Sequence, residues 1–466
     1  MNTHPESPAS VAGTCPVDHA AMATPHWEKE IGRFSKVPGS TRAAWMLSFG
    51  LPRAMFRAQA RKGSLIARLQ VDPGLRANPF PGYEDIRDKG IIVRGGPIAA
   101  TATHSVATQI LRSSSFGVSD GQAPFPPLMR RMINAVSDPG ALGPIDPPSL
   151  LAIDPPLHTR YRKLVTRAFS AKSVTSREEM VQDVADRLLD RLERSGSSST
   201  DLVANYTSLL PVAVICDILG VPEDMHANLL EWGNGAAASL DPGLTWKQYK
   251  VVVDSLRKLS TWFDQHVETL RRNPGDDLLS TLAQLDGKDR LTNVELRATG
   301  LLVLGAGFET TVNLMGNAVD LFAQHPDQLG IVRDDPGTWD NAIEEVLRYE
   351  SPVQLTLRQA YVDAVIDEAG ISAGESVILM LGGANRDPQV FDDPHTFDVT
   401  RANAADHLAF SSGAHYCLGA SLARLEAVVG LRSLYERFPN LTVLDGGERR
   451  PTRVLRGWET LPVAVA

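Results

Sequence analysis

The stretch from Thr292 to Phe322 most constrains what this chain can fold into. Thr292-Asn-Val-Glu295 has the spacing of a capping box, in which each side chain accepts a hydrogen bond from the other residue's backbone amide. The residues that follow are almost all apolar, and a helix that is apolar on every side must be buried. Glu309 and Asn313 interrupt the run, which never reaches the ~18 unbroken apolar residues of a membrane span. We therefore predict a buried helix at the centre of the fold and no transmembrane segment.

The rest of the pattern predicts a mainly α protein with small β-sheets. No internal repeat and no alternation of strands and helices is visible. We expect one domain over residues 41–466 and a disordered tail over the polar residues 1–40. Helices are predicted at 177–194, 201–219, 246–271 and 341–350. Strands are predicted in a hairpin over 91–101 and at 362–366, 376–381 and 441–444.

Charge and cysteine content exclude several classes of function. The net charge of −9 argues against nucleic acid as the main partner. Three scattered cysteines are too few for a disulfide framework, and no secretory signal is visible, so a cytoplasmic protein is expected.

Basic residues alternate with apolar ones from Ala43 to Leu69. This pattern predicts a surface helix whose basic face contacts solvent or, alternatively, a membrane or a partner.

A cysteine precedes a predicted helix in the segment Phe410-Ser-Ser-Gly413-Ala-His415-Tyr-Cys417-Leu-Gly419. Free backbone amides at a helix start favour a thiolate, and the two glycines let the backbone approach a flat ligand. His415 can reach an anionic group at the rim of such a ligand. A small buried hydrophobe is the ordinary interpretation of one cysteine. A hydrolytic Cys/His pair is another, but no base or oxyanion site is identified for it.

The whole segment resembles the haem-binding signature of the cytochrome P-450 family, since every fixed position is filled. The resemblance implies haem b (iron protoporphyrin IX) with Cys417 as the axial iron ligand. Phe410, Gly413, His415 and Gly419 are then cofactor-binding residues. The implied fold is the cytochrome P-450 fold, with the haem between the central long helix and the helix of the cysteine loop. Residues 41–466 would form a single catalytic domain, most similar to soluble bacterial members.

The polar interruption of the central helix, Ala306-Gly-Phe-Glu309-Thr310-Thr311, has two interpretations. By itself it predicts a satisfied polar cluster or a kink in the helix. It also resembles the acid-threonine motif of the family. That resemblance implies that Ala306 adjoins the haem, that Thr310 holds an ordered water and dioxygen, and that Glu309 relays protons from solvent.

Two further sets of residues gain a role from the resemblance. His158 and Arg162 share one helical face, which is ordinarily solvated. With Arg358 and His415 they are implied to bind the haem propionates. Glu345 and Arg348 stand one helical turn apart, a spacing usually found in surface ion pairs. The resemblance instead implies a buried structural trio of Glu345, Arg348 and Arg401.

The implied activity is that of a haem-thiolate monooxygenase, which inserts one atom of dioxygen into a hydrophobic small molecule. Its electrons would come from NAD(P)H through a separate ferredoxin- or flavodoxin-type donor, and a monomer is expected. A proposed docking patch for that donor contains Arg160, Lys163, Arg167 and Arg424. The alternatives are a haem-based sensor without turnover, a peroxide-driven or non-hydroxylating oxidase of the same fold, and an apolar-ligand-binding protein without haem.

Overall fold

The computed structural model describes residues 36, 39–96, 98–118 and 127–465, which are mainly helical with four small sheets. The predicted tail lies almost entirely outside these residues. The described α-helices are α1 (Ser40–Trp45), α2 (Leu51–Arg61), α3 (Leu65–Val71), α4 (Pro73–Ala77), α5 (Phe80–Lys89), α6 (His104–Arg112), α7 (Pro127–Val136), α8 (Leu157–Thr166), α9 (Ala171–Thr175), α10 (Glu178–Arg194), α11 (Leu209–Ile218), α12 (His226–Ala237), α13 (Trp246–Arg272), α14 (Leu278–Ala283), α15 (Asn293–Gln324), α16 (Pro326–Asp334), α17 (Trp339–Tyr349), α18 (Leu381–Ala384) and α19 (Ala420–Arg437).

The largest sheet has five strands in the order β1 (Val93–Arg94), β2 (Ile98–Thr101), β8 (Ser376–Leu379), β5 (Thr356–Ala360) and β3 (Phe116–Val118). The predicted hairpin is its β1–β2 pair, in which Val93 lies opposite Ala100. β5 pairs with β3 so that Arg358 lies opposite Val118, which fixes the position of this arginine. The described strands are β1 (Val93–Arg94), β2 (Ile98–Thr101), β3 (Phe116–Val118), β4 (Ser199–Asp201), β5 (Thr356–Ala360), β6 (Ala364–Ile366), β7 (Ala369–Ile371), β8 (Ser376–Leu379), β9 (Thr442–Val443), β10 (Glu448–Arg449), β11 (Trp458–Thr460) and β12 (Pro462–Ala464).

The central helix α15 begins where the capping box predicts. The Glu295 amide donates to the Thr292 hydroxyl at 3.3 Å, and the Thr292 amide donates to the Glu295 carboxylate at 2.7 Å. The helix packs against α11, α12, α13, α17 and α19. Among the described residues only this helix is long and apolar enough to cross a membrane, and 61% of its most apolar 18-residue window is buried inside the protein. The helix therefore forms the centre of the core.

Two predicted helices differ from the observed elements. In the segment 201–219 only Asp201 belongs to a strand, β4, which pairs with β12 near the end of the described residues. The rest is helical, as predicted, with a π-helix at Val203–Thr207 before α11. A local pattern cannot show this long-range pairing. The basic segment after Ala43 is helical without a break to Arg61, because a π-helix at Met46–Gly50 joins α1 to α2. The helix ends there, since Gly63 has a φ of 89° and Ser64 caps the next helix.

Candidate active site

The cysteine loop is held by its own backbone and by the neighbouring helix α6. The amide of Cys417 donates to the carbonyl of Phe410 at 2.9 Å, and α19 begins three residues later. Gly413 has a φ of 69°, and a Cβ there would collide with the carbonyl oxygen of Leu111. Protein packing therefore explains this glycine without the flat ligand invoked for it. A Cβ on Gly419, in contrast, would meet no atom within 4 Å.

The Cys417 thiol is subject to opposing electrostatic effects. Burial raises its pKa, whereas the backbone N–H of Gly419 and the charges of Arg162 and Arg424 lower it. The predicted effect of the helix start is therefore present, but burial outweighs it. A metal that binds this sulfur would displace the thiol proton.

One face of the central helix is open at the level of the polar interruption. Ala306 is exposed, and Leu302, Gly305 and Thr310 are only partly buried, although the helix is otherwise in the core. A Cβ on Gly305 would meet no atom within 4 Å. The hydroxyl of Thr310 donates to the carbonyl of Ala306 at 2.9 Å, which leaves its oxygen able to accept. Leu302 on this face and Cys417 both pack against the main hydrophobic cluster.

Glu309 lies beside Thr310 in sequence but is buried, with 3% of its surface exposed. Its carboxylate is 3.0 Å from Nη1 of Arg450, yet neither oxygen has a well-formed hydrogen bond among the described residues. Burial raises the pKa of Glu309, Arg450 lowers it and Glu459 raises it. Arg450 also lies 3.8 Å from Glu459, whose side chain is half exposed. The ion-pair chain thus runs from Glu309 toward the surface.

The predicted propionate ligands come together on one side of the cysteine loop. The rings of His158 and His415 are 4.1 Å apart between centroids. Burial, with the charges of His415 and Arg162, lowers the pKa of His158 to about 4. Arg162 donates to the carbonyl of Tyr416 at 2.7 Å, which ties α8 to the loop. Arg358 is also buried, and burial lowers its pKa to about 10.

Asp154 belongs to this group, although sequence reasoning gave it no role. Its carboxylate accepts hydrogen bonds from the Val118 amide at 3.0 Å and from the Tyr361 hydroxyl, and it contacts His415 at 3.3 Å. Burial raises the pKa of Asp154, but the hydrogen bonds from His415 and Tyr361 bring it below the ordinary value. The one available signal was its place just before the helix of His158.

The structural trio is brought together behind the loop. Glu345 and Arg348 are both 0% exposed and form two hydrogen bonds of 2.7 Å. Arg401 and the Asp398 amide donate to the same carboxylate at 3.3 and 2.9 Å. The remaining nitrogens of Arg348 bind backbone carbonyls, including that of Asn385. The carboxylate of Glu345 and the guanidinium of Arg348 thus find their hydrogen-bond partners inside the protein.

Arg424, which the sequence analysis placed in a docking patch, has a different partner. Its guanidinium binds both oxygens of Glu344, and His407 contacts the same carboxylate at 3.0 Å. Burial raises the pKa of Glu344, but these bonds outweigh it and lower the pKa to about 2. Arg424 also lies 4.6 Å from the ring centre of Phe410. Arg424 therefore connects α17, through Glu344, to Phe410 at the start of the cysteine loop.

These residues fit an iron porphyrin. Within the described residues, no group of three or more His, Cys, Asp and Glu side chains could hold a metal ion. One cysteine sulfur is therefore suited to an iron that carries its other ligands with it. The open helix face offers an apolar surface, and His158, Arg162, Arg358 and His415 provide donors for two carboxylates. The fold and the site suit a planar metal cofactor that is held through one cysteine sulfur and a group of carboxylate-binding side chains.

Comparisons with known proteins identify the family. The family model described as Cytochrome P450 matches residues 339–454. The "Putative cytochrome P450 140" of Mycobacterium tuberculosis is 45% identical over 90% of this chain and 97% of that protein. The 6-deoxyerythronolide B hydroxylase of Saccharopolyspora erythraea is 39% identical over 66% of this chain and 76% of its own. Mycobacterium smegmatis CYP164A2 superposes with a TM-score of 0.77 at 35% identity, covering 86% of this chain and 99% of that structure. The chain belongs to the cytochrome P450 family, and its fold is the one predicted.

Proposed function

We propose that this protein is a haem-thiolate monooxygenase that inserts one atom of dioxygen into a hydrophobic small molecule. The observation that carries the proposal is the open face of α15 at Ala306 and Thr310, on a helix that packs against α19, whose first residue follows Cys417 by three positions. A bound haem would supply dioxygen activation and oxygen transfer. The named hydroxylase among the relatives supports the same reaction class.

The chain's own residues would divide the remaining work. Cys417 would hold the iron through its sulfur, with the Gly419 amide moderating the charge on that sulfur. His158, Arg162, Arg358 and His415 would bind the carboxylates of the cofactor. Thr310 already donates its hydroxyl hydrogen to the Ala306 carbonyl, so its oxygen can accept a hydrogen bond from an ordered water.

Glu309 would carry protons toward this position. Burial raises its pKa and so favours the protonated carboxyl, which can release a proton toward the site and take up another. The neighbouring Arg450 and Glu459 connect it to the protein surface. Thr310 and Glu309 project in different directions from α15, so a water or a side-chain rotation must link them.

Electrons would come from NAD(P)H through a ferredoxin- or flavodoxin-type donor. Lys163 and Arg167 are exposed on and just after α8, which Arg162 ties to the cysteine loop. These cations would attract an acidic donor. Lys163→Glu/Arg167→Glu should slow haem reduction by about tenfold at low salt without changing substrate binding. The control Arg187→Glu/Arg191→Glu, on the exposed face of α10, should reduce at the wild-type rate. Equal rates of haem reduction in the two variants would refute this docking site.

The reaction itself is tested with the purified holoprotein, a surrogate redox pair and a panel of apolar compounds. Substrate-dependent NAD(P)H oxidation, with one labelled oxygen in the product under ¹⁸O₂, is the expected result. A sensor would show spectral binding without turnover. A peroxide-driven oxidase would work with peroxide but not with NAD(P)H and dioxygen. A cytoplasmic location and a monomeric state stay predictions.

A further inference from the structure

Three neighbouring segments of this acidic protein carry only positive charge. Residues 40–71 contain six Lys and Arg side chains, residues 127–136 contain two and residues 242–253 contain two, and none of the three contains Asp or Glu. The segments are in contact: α1 packs against both α7 and α13. Trp45 donates to the carbonyl of Leu244 at 2.9 Å, and Arg53 donates to that of Gly243 at 2.9 Å. They therefore form one surface, which we call the basic face.

The solvent side of this face is also apolar. On α2, Leu51 is 40% and Met55 is 52% exposed, and Ala54 and Ala58 lie at the spacing that places all four on one side of the helix. On α7, one turn apart, Leu128 is 72% and Met132 is 48% exposed. An ordinary surface helix buries its apolar side. Here α2 turns apolar side chains outward, with Arg57, Arg61 and Lys62 exposed around them.

We propose that the basic face binds the surface of an anionic lipid bilayer, with α2 and α7 lying in the headgroup region. Exposed Met and Leu side chains can enter the acyl boundary, while the surrounding cations meet lipid phosphates. Cations near such a surface are attracted to its anionic headgroups, and the attraction is screened by salt. A second copy of this chain would place the same positive charge against itself. An acidic soluble protein would match the charge but not the projecting apolar stripe. The bilayer fits both.

The test uses the full-length holoprotein and vesicles of phosphatidylcholine with or without 30% phosphatidylglycerol. Cosedimentation should rise at least tenfold with the anionic lipid and fall in high salt. Arg57→Glu/Arg61→Glu should weaken binding at least tenfold. The matched control is Arg187→Glu/Arg191→Glu, which makes the same charge change at the same spacing on α10 and should bind within twofold of wild type. Circular dichroism melting checks that both variants fold.

The apolar contribution is tested by Leu51→Ser/Met55→Ser, which leaves the charge unchanged. Weaker binding to anionic vesicles, by about fivefold or more, supports insertion. No binding of the wild-type protein, equal binding to neutral vesicles, or equal loss in the α10 control would overturn the proposal. Self-association through this face on gel filtration would also overturn it, because a second copy would then occupy the face. Vesicle binding that appears only after removal of residues 1–35 would do the same, because the N-terminal segment would then be the occupant.

Discussion

Two buried glutamates in this protein have opposite surroundings. Glu345, behind the cysteine loop, accepts hydrogen bonds from Arg348, Arg401 and a backbone amide. Glu309, on the central helix, has one arginine nearby and no well-formed hydrogen bond among the described residues. The burial of the two is almost equal, at 0% and 3% exposed. Burial alone therefore does not distinguish them.

The difference lies in how completely each charge is satisfied. A buried carboxylate with all its partners in place is held in one conformation. A buried carboxylate with few partners favours its neutral form and is ready to exchange a proton. We interpret Glu345 as part of the framework that supports the cysteine loop. Glu309 is interpreted as a proton carrier at the open side of the site.

The largest effect is expected from breaking the satisfied network. Glu345→Ala leaves Arg348 buried without its carboxylate, so the free energy of unfolding should fall by about 3–5 kcal/mol. Chemical unfolding followed by circular dichroism measures it. Arg437→Ala, which breaks a surface pair with Asp190 and Glu193, is the control and should cost under about 1 kcal/mol. A loss at Glu345 no larger than that of the control would refute the framework role.

At the open face, Thr310→Ala should leave cofactor binding and NAD(P)H oxidation in place but reduce product formed per NAD(P)H by about tenfold, since a positioned hydroxyl is lost. Thr310→Ser keeps the hydroxyl and should restore most of the coupling. Thr311→Ser is the control on the adjacent, buried side of the helix. Unchanged coupling in Thr310→Ala would place proton delivery elsewhere.

A smaller effect is expected on the pH dependence of stability. The pKa of Glu309 is raised in the folded protein, so its contribution to stability is full below the ordinary value of 4.5 and is lost as the pH rises through the folded value. Glu309→Gln removes this loss. The variant should thus gain stability relative to wild type progressively as the pH rises above 4.5. Unfolding midpoints from pH 4 to 8 measure the difference; a gain that shrinks with rising pH would contradict the interpretation.

The sequence predicted those parts of the molecule whose signals are local. The capping box at Thr292 and the apolar run after it defined α15, and the spacing around Cys417 defined the loop. The partner of Glu309 could not be predicted, because Arg450 lies far along the chain and only folding brings it near. The same holds for β4, which forms by pairing with β12, and for Asp154, whose partners come from β3, the segment after β5 and the cysteine loop.

The most direct test is the absorption spectrum of the purified protein, reduced under carbon monoxide. The wild-type protein should show the strongly red-shifted Soret band of a thiolate-ligated haem, and Cys417→Ala should lose it. Cys216→Ala changes the other described cysteine, which is buried in the core away from the loop, and should keep the band. A wild-type protein that stays colourless when haem is plentiful, or a Cys417→Ala variant with an unchanged spectrum, would contradict the account.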